Sequence, residues 1–158
     1  MVVIISRRVT QIDRNQTFKL AIARTHEKKW GEGYVIRRWA QEGVVAKAPS
    51  FSGTDIDIDY VKLEIGTQCN RTVLAYLASL GYKPLSDPQA VLADLESDPK
   101  FACEHDCADF WHDDVGVLDL HCWISAHTSK AGLKERYVAV FRGETTWWSD
   151  HWFAVRRL

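Results

Sequence analysis

The amino-acid sequence predicts a single α+β domain over residues 1–158, built around a mainly antiparallel sheet. Three observations support this prediction: strand-type alternation towards both ends of the chain, helix signals confined to the middle, and no repeated strand–helix–strand unit. The predicted order is a β-meander, two or three helices and a second β-meander. A chain of 158 residues, 46% of them apolar, is long enough to bury one hydrophobic core.

The N-terminal third is predicted to form strands. Residues 18–23 alternate Phe, Leu and Ile with Lys and Ala, and this period of two is typical of a half-buried strand. Residues 33–39 and 55–65 are two further candidate strands. The segment 46–54 between them is rich in Pro, Ser and Gly and predicts a loop.

The middle of the chain predicts helices. Residues 70–80 place apolar side chains on one helical face and stop at Gly81, a common residue after a helix end. Asp-Pro pairs at 87–88 and 98–99 each combine an N-cap residue with proline at the first helical position. We therefore expect one helix to start at residue 88 and another to cover residues 99–112.

The last third is again predicted to form strands. Residues 115–127, 135–142 and 147–157 are rich in β-branched and aromatic residues, and Gly132 and Gly143 mark the turns between them. In the first of these strands, alternation turns Leu118, Leu120, Cys122 and Ile124 towards the core. The opposite face would carry Asp119, His121, Trp123 and His127.

Charge is unevenly distributed along the sequence. Residues 1–50 contain ten Lys/Arg and four Asp/Glu, residues 51–129 four and fourteen, and residues 130–158 six and three, while the net charge is −1. Such segregation predicts a surface with two electrostatic faces. An acidic surface of this kind suits a basic protein partner, as in an inhibitor or an immunity-type protein.

The cysteines and the N-terminus predict a cytoplasmic protein without a membrane segment. Four cysteines at these spacings do not resemble a secreted disulfide scaffold. The apolar run at residues 2–5 is too short for a signal peptide. No segment approaches the roughly 18–20 apolar residues of a membrane helix.

The segment 103–127 concentrates side chains that bind metals and transfer protons. In a loop, Cys103 and Cys107 could bind zinc together with His105 and His112, but a helix over 99–112 would turn the cysteines away from the histidines. The metal hypothesis that is compatible with the helix joins two elements. Its candidate ligands are His105, Asp109, His112, Asp119 and His121. They would make the protein a zinc- or magnesium-dependent hydrolase or nuclease.

Tryptophan is the second unusual feature, with seven copies in the chain. Large aromatic residues are enriched in protein interfaces. Trp39, Trp111 and Trp152 are predicted to be core residues. The predicted binding surface consists of Trp123, Trp147, Trp148, His121 and His127.

These observations favour a non-enzymatic binding or regulatory module that recognises a macromolecular partner through a charged, Trp-rich surface. The predicted partner is a protein and no cofactor is required. The tryptophans could also stack nucleic-acid bases, although no motif specifies this. The two alternatives are the metal-dependent hydrolase or nuclease and a small-ligand carrier with an aromatic pocket. Neither the partner nor the oligomeric state follows from the sequence.

Overall fold

The computed structural model describes residues 2–24, 34–64, 66–112, 120–128, 132 and 134–158. Within these ranges the chain forms eight strands and five helices, which is an α+β fold. The strands are β1 (Ile4–Val9), β2 (Tyr34–Ala40), β3 (Ile56–Lys62), β4 (Tyr82–Pro84), β5 (Asp106–Trp111), β6 (Leu120–Thr128), β7 (Lys134–Arg142) and β8 (His151–Arg157). The helices are α1 (Phe18–Arg24), α2 (Glu42–Ala46), α3 (Asn70–Ser79), α4 (Pro88–Ser97) and α5 (Pro99–Glu104).

All eight described strands belong to one mixed sheet with the order β1-β3-β8-β5-β6-β7-β2, and β4 pairs with the end of β8. The pairs β5–β8 and β2–β7 are parallel, whereas the other described pairs are antiparallel. The prediction of a mainly antiparallel sheet is therefore wrong. The last strand inserts between β3 and β5, and β2 lies at the far edge beside β7. Alternation within a strand carries no information about such long-range pairing.

The start of α4 and the end of α3 lie where cap residues in the sequence predict them. The side chain of Asp87 accepts a hydrogen bond from the N–H of Ala90 at 3.3 Å, and Pro88 occupies the first turn of α4. After α3, Gly81 has a φ of +83°, a left-handed conformation that favours glycine. Local signals suffice for these elements because neighbouring residues fix their ends.

Residues 18–24 form α1 instead of the predicted strand. Phe18 and Ile22 fit a period of two, but they are also one helical turn apart, and both are buried. The hydroxyl of Thr17 accepts a hydrogen bond from the N–H of Leu20 at 3.1 Å and caps the helix. Together with α2, this element brings the described helices to five, more than the predicted two or three.

The segment 99–112 divides into α5 and β5 instead of forming one helix. Asp98 caps α5 as predicted, and its carboxylate accepts a hydrogen bond from the N–H of Phe101 at 3.1 Å. Residues 107–111 of β5 are all buried, because the strand lies between β6 and β8 with both of its faces covered. A strand buried on both faces shows no alternation, so its periodicity does not distinguish it from a helix.

The sheet separates two hydrophobic cores. Helices α1, α2, α4 and α5 cover one face from β3 to β7, and we call this the helix-covered face. On the second face, α3 packs over β3, β8 and β5. The described helices leave the second face of β6, β7 and β2 uncovered.

Helix α4 and the turn before it are joined to the rest of the fold by arginines. The acidic middle of the sequence thus pairs with both of its basic ends, so charges that are segregated in sequence meet in space. Ion pairs of this kind join Arg7 Nε with Asp94 at 2.9 Å, Arg14 Nη2 with Asp87 at 2.7 Å, and Arg136 Nη2 with Glu96 at 3.0 Å.

Candidate functional site: an aromatic groove

The candidate site lies on the uncovered part of the second face, around Ala139 of β7. Trp39 on β2 and Trp123 on β6 are both register partners of Ala139. Register partners point to the same face of a sheet, as do residues two positions apart in one strand. Tyr137 and Phe141 therefore share this face, so four aromatic side chains surround one alanine.

The four rings form two stacked pairs, one on each side of Ala139. The ring centroids of Trp39 and Phe141 are 5.9 Å apart with an interplanar angle of 19°, and those of Trp123 and Tyr137 are 6.3 Å apart at 15°. Ala139 is only 5% exposed because the rings stand beside it, whereas Trp39 at the sheet edge is 69% exposed. We call these five residues the aromatic groove.

The aromatic groove has a volume of about 600 Å³, enough to receive several side chains of a partner. Thr145 and part of Arg38 complete its lining. The guanidinium of Arg38 donates a hydrogen bond to the carbonyl of Ala23 at the end of α1, at 3.1 Å. Its charge is therefore directed towards the helix-covered face and away from the groove.

One end of the groove is supported by a buried histidine. The His121 ring is fully buried, and its centroid lies 4.1 Å from that of Phe141 and 5.4 Å from that of Trp147. Its Nε2 atom is 3.0 Å from the hydroxyl oxygen of Thr145. His121 therefore holds Phe141 and Thr145 in place from below, which makes it a positioning residue for the groove.

The other end of the groove is held by Glu135. The hydroxyl of Tyr137 donates a hydrogen bond of 3.0 Å to Oε2 of this carboxylate, which is 7% exposed. Polar contacts thus hold Thr145 at one end of the groove and Tyr137 at the other. Because these side chains are already fixed, the groove loses little conformational freedom when it is filled.

The sequence of β7 explains why aromatic residues stand on this face. Val138 and Val140 are fully buried against the helices, and Tyr137, Ala139 and Phe141 alternate with them. Residues 137–141 of the strand are thus apolar or aromatic on both faces, and the strand pairs in parallel with β2. Parallel strands are normally covered on both faces. In the part of the chain that the structure describes, one of the two covers is missing.

The residues of the predicted binding surface occupy different environments. Trp123 lines the groove, and Trp148 is 56% exposed but is not part of the groove lining. Trp147 and His121 are both fully buried, contrary to the prediction that they lie on the surface. They face inward because α3 and the segment before β8 cover this part of the face. His127 belongs to β6, and its side chain lies outside the described part of the structure.

Other groove residues differ from the sequence-based prediction. Trp39 is expected in the core, where Trp111 and Trp152 are indeed buried, but its position on an edge strand leaves it exposed. Tyr137 and Phe141 are not among the predicted site residues. The signal that indicates them is a strand with large apolar residues on both faces, which requires either a second cover or a partner.

Asp109 and His121, two of the predicted metal ligands, lie on opposite faces of the sheet. Asp109 is the register partner of Cys122, which belongs to the core beneath the helix-covered face. His121 is the register partner of Phe110, which belongs to the other core. Since register partners share a face, the sheet lies between these two side chains and they do not approach one ion.

Among the described residues, neither His105 nor His112 belongs to a cluster of metal ligands. His105 stacks on Phe101 with ring centroids 4.0 Å apart, and His112 is exposed just after β5. Asp119 lies outside the described residues. Within the described ranges, no group of three or more His, Cys, Asp or Glu side chains could hold a metal ion. The zinc or magnesium hypothesis therefore has no set of ligands in the described structure.

Asp109 is a fully buried carboxylate with a structural role. It accepts hydrogen bonds from the backbone N–H groups of Ser86 at 2.9 Å, Asp87 at 2.8 Å and Phe110 at 2.9 Å. Burial raises the pKa of Asp109 to about 7, although these three hydrogen bonds act in the opposite direction. Ser86 has a φ of +57°, which non-glycine residues rarely adopt. The carboxylate thus holds the strained turn that leads into α4.

Comparison with models of protein families, with curated proteins and with solved structures finds no match for this chain. Among the described helices, none combines the length and the apolar character that crossing a membrane requires.

Proposed function

We propose that this protein is a non-enzymatic binding module that captures a protein partner in the aromatic groove. The observation that carries the proposal is the set of four aromatic rings around Ala139, on a parallel strand pair that no described helix covers on this face. Tryptophan and tyrosine are prominent among the residues that dominate binding energy at interfaces. A partner would complete the cover that α3 supplies over the neighbouring strands.

The open shape of the groove favours a protein over a small ligand. A volume of about 600 Å³ is in the range of ligand pockets, and this supports a small-ligand carrier as the second candidate. Ligand pockets, however, enclose most of the surface of their ligand. Trp39 is 69% exposed at the rim of the groove, where a protein surface would cover the rim and the floor together.

We further propose a cytoplasmic location for this module and its partner. None of the four cysteines, all of which are described, forms a disulfide, and Cys69 and Cys103 are exposed. Exposed free thiols are typical of reducing compartments, because oxidising compartments favour disulfide formation. The proposed partner is accordingly a protein of the same compartment.

Selection of peptides from a displayed random library, with the full chain as bait, tests the proposal. Dissociation constants of the recovered peptides are then measured by calorimetry for the wild type, Trp39→Ala, Trp123→Ala and the matched control Trp148→Ala. We expect each groove variant to weaken binding by about 30-fold or more, the loss typical of a central interface residue. The control removes an exposed tryptophan outside the groove and should change binding by less than about twofold.

Two results of this selection would contradict the proposed function. One is that no recovered peptide binds more weakly to Trp39→Ala or Trp123→Ala than to the wild type. The other is that Trp148→Ala weakens binding as much as the groove variants do, which would place the contact elsewhere on the surface.

A further inference from the structure

Strand β2 forms one edge of the sheet and borders the aromatic groove. It is terminal in the strand order, and β7 is its partner among the described strands. Trp39 belongs to this edge strand and also lines the groove. An extended chain placed along the edge would therefore meet the hydrogen-bonding groups of β2 and the aromatic rings at the same time.

One hydrogen bond identifies the backbone groups of β2 that point away from the sheet. The N–H of Gln41, directly after the strand, donates to the carbonyl of Val140 in β7 at 2.8 Å. Backbone groups of alternate residues in a strand point to the same side, so the N–H of Trp39 also points towards β7. The N–H and C=O groups of Arg38 and Ala40 then point outward, towards the open edge.

The described part of the β2 edge lacks proline and bulges, two features that usually prevent strand pairing. Sheet edges are commonly protected by proline, by bulges or by charged side chains that extend along the edge. Residues 34–40 contain no proline and pair with residues 134–140 without a bulge. The guanidinium of Arg38 is turned back onto the carbonyls of Ile22 and Ala23. The edge is therefore regular and carries an exposed tryptophan.

We propose that the partner contributes an extended segment, which adds to the sheet as a further strand along β2 and extends side chains past Trp39 into the groove. This inference rests on the proposed function and names the chemistry of the partner. Main-chain hydrogen bonds to Arg38 and Ala40 align the segment, and every second side chain of the segment lies on the groove side, next to Trp39. The segment carries apolar or aromatic residues at alternate positions and no proline in its paired part.

The variant Ala40→Pro separates strand addition from contact with the groove. Proline removes the outward N–H at position 40, whereas the N–H groups of Trp39 and Gln41, which point to β7, remain. Ala40 is exposed, so the structure has room for the proline ring. We expect the groove-dependent peptides to bind Ala40→Pro about tenfold more weakly than the wild type, with an unchanged thermal transition.

Backbone N-methylation of the same synthetic peptides is a second measurement that leaves the protein unaltered. In an added strand, the N–H groups of one alternate set face β2 and those of the other set face solvent. Methylation of one set should weaken binding about 30-fold or more, and methylation of the other set should change it less than about threefold.

The outcomes distinguish the two proposals. If both methylated sets bind alike and Ala40→Pro binds as the wild type does, strand addition is overturned. Dependence on Trp123 would in that case still support the groove as the binding site. If no recovered peptide depends on Trp39 or Trp123, the proposed function fails, and strand addition fails with it.

Discussion

The two faces of the sheet use their side chains in different ways. The helix-covered face buries ionisable residues and pairs them, as in the contact of Arg136 with Glu96 and in the backbone hydrogen bonds to Asp109. Beyond α3, the second face presents the stacked rings of Trp39, Trp123 and their partners. The ionisable residues of the helix-covered face thus stabilise the fold, whereas the uncovered part of the second face is aromatic.

The largest effect is expected for Trp147, which belongs to the covered part of the second face. Its ring is fully buried against Phe110 and Phe153, and its indole N–H donates to Oδ1 of Asn70 at 2.7 Å. Trp147→Ala should lower the free energy of unfolding by about 3–5 kcal/mol. The control Trp148→Ala should lower it by less than about 0.5 kcal/mol. Urea unfolding followed by circular dichroism measures both variants. Equal losses for Trp147→Ala and Trp148→Ala would contradict the burial of Trp147.

A loss of about 3 kcal/mol is expected when the buried ion pair of the helix-covered face is broken. Arg136→Met leaves the carboxylate of Glu96 buried without its guanidinium partner, which destabilises a folded protein strongly. The double variant Arg136→Met/Glu96→Leu should recover most of the loss, because it removes both charges. Peptide affinity of the folded protein should stay constant, since the pair lies across the sheet from the groove. A double variant that is no more stable than Arg136→Met would contradict this account.

Asp109 makes the stability of the helix-covered face depend on pH. Burial raises its pKa to about 7, well above that of an exposed aspartate, so between these two values the folded protein retains a proton that the unfolded chain has lost. The free energy of unfolding should therefore fall as the pH rises, by up to about 1.4 kcal/mol per pH unit, and level off above about pH 7. Asp109→Asn should remove this slope in urea unfolding series from about pH 5 to about pH 8. Parallel slopes for the two proteins would be inconsistent with titration of Asp109.

The smallest effect is expected at the end of the groove. Tyr137→Phe removes the hydrogen bond to Glu135 and keeps the ring that stacks on Trp123. Stability should fall by about 1 kcal/mol, and groove-dependent peptides should bind only about two- to threefold more weakly, because the apolar contact remains. Calorimetric titration measures the second quantity. A loss as large as that of Trp123→Ala would mean that the hydroxyl itself contacts the partner.

Elements with local signals could be predicted from the sequence. The cap residues before Pro88 and Pro99 locate the starts of α4 and α5, and Gly81 locates the end of α3. The order of the strands could not be predicted in this way. It depends on pairings such as Trp39 with Ala139, which form between segments that are distant in sequence.

The sequence predicts only part of the aromatic groove, because the exposure of a strand residue depends on where its strand lies in the sheet. The sequence places Trp123 on the strand face opposite to Cys122 and Ile124, and in the structure those two residues belong to the helix-covered core whereas Trp123 lines the groove. Trp39 is assigned to the core because a large apolar residue in a strand is usually buried. Its exposure follows from the edge position of β2, which is a property of the whole sheet. Conversely, His121 looks like a surface residue until the rings of Phe141 and Trp147 are seen to enclose it.

We propose that the partner binds the aromatic groove and not the buried His and Asp residues. Fluorine NMR of protein labelled with 5-fluorotryptophan tests it directly, with resonances assigned from single Trp→Phe variants. On titration with a selected peptide, we expect the signals of Trp39 and Trp123 to shift and those of Trp111 and Trp147 to remain in place. Shifts confined to Trp148, or no shift of Trp39 and Trp123 at saturation, would contradict the claim.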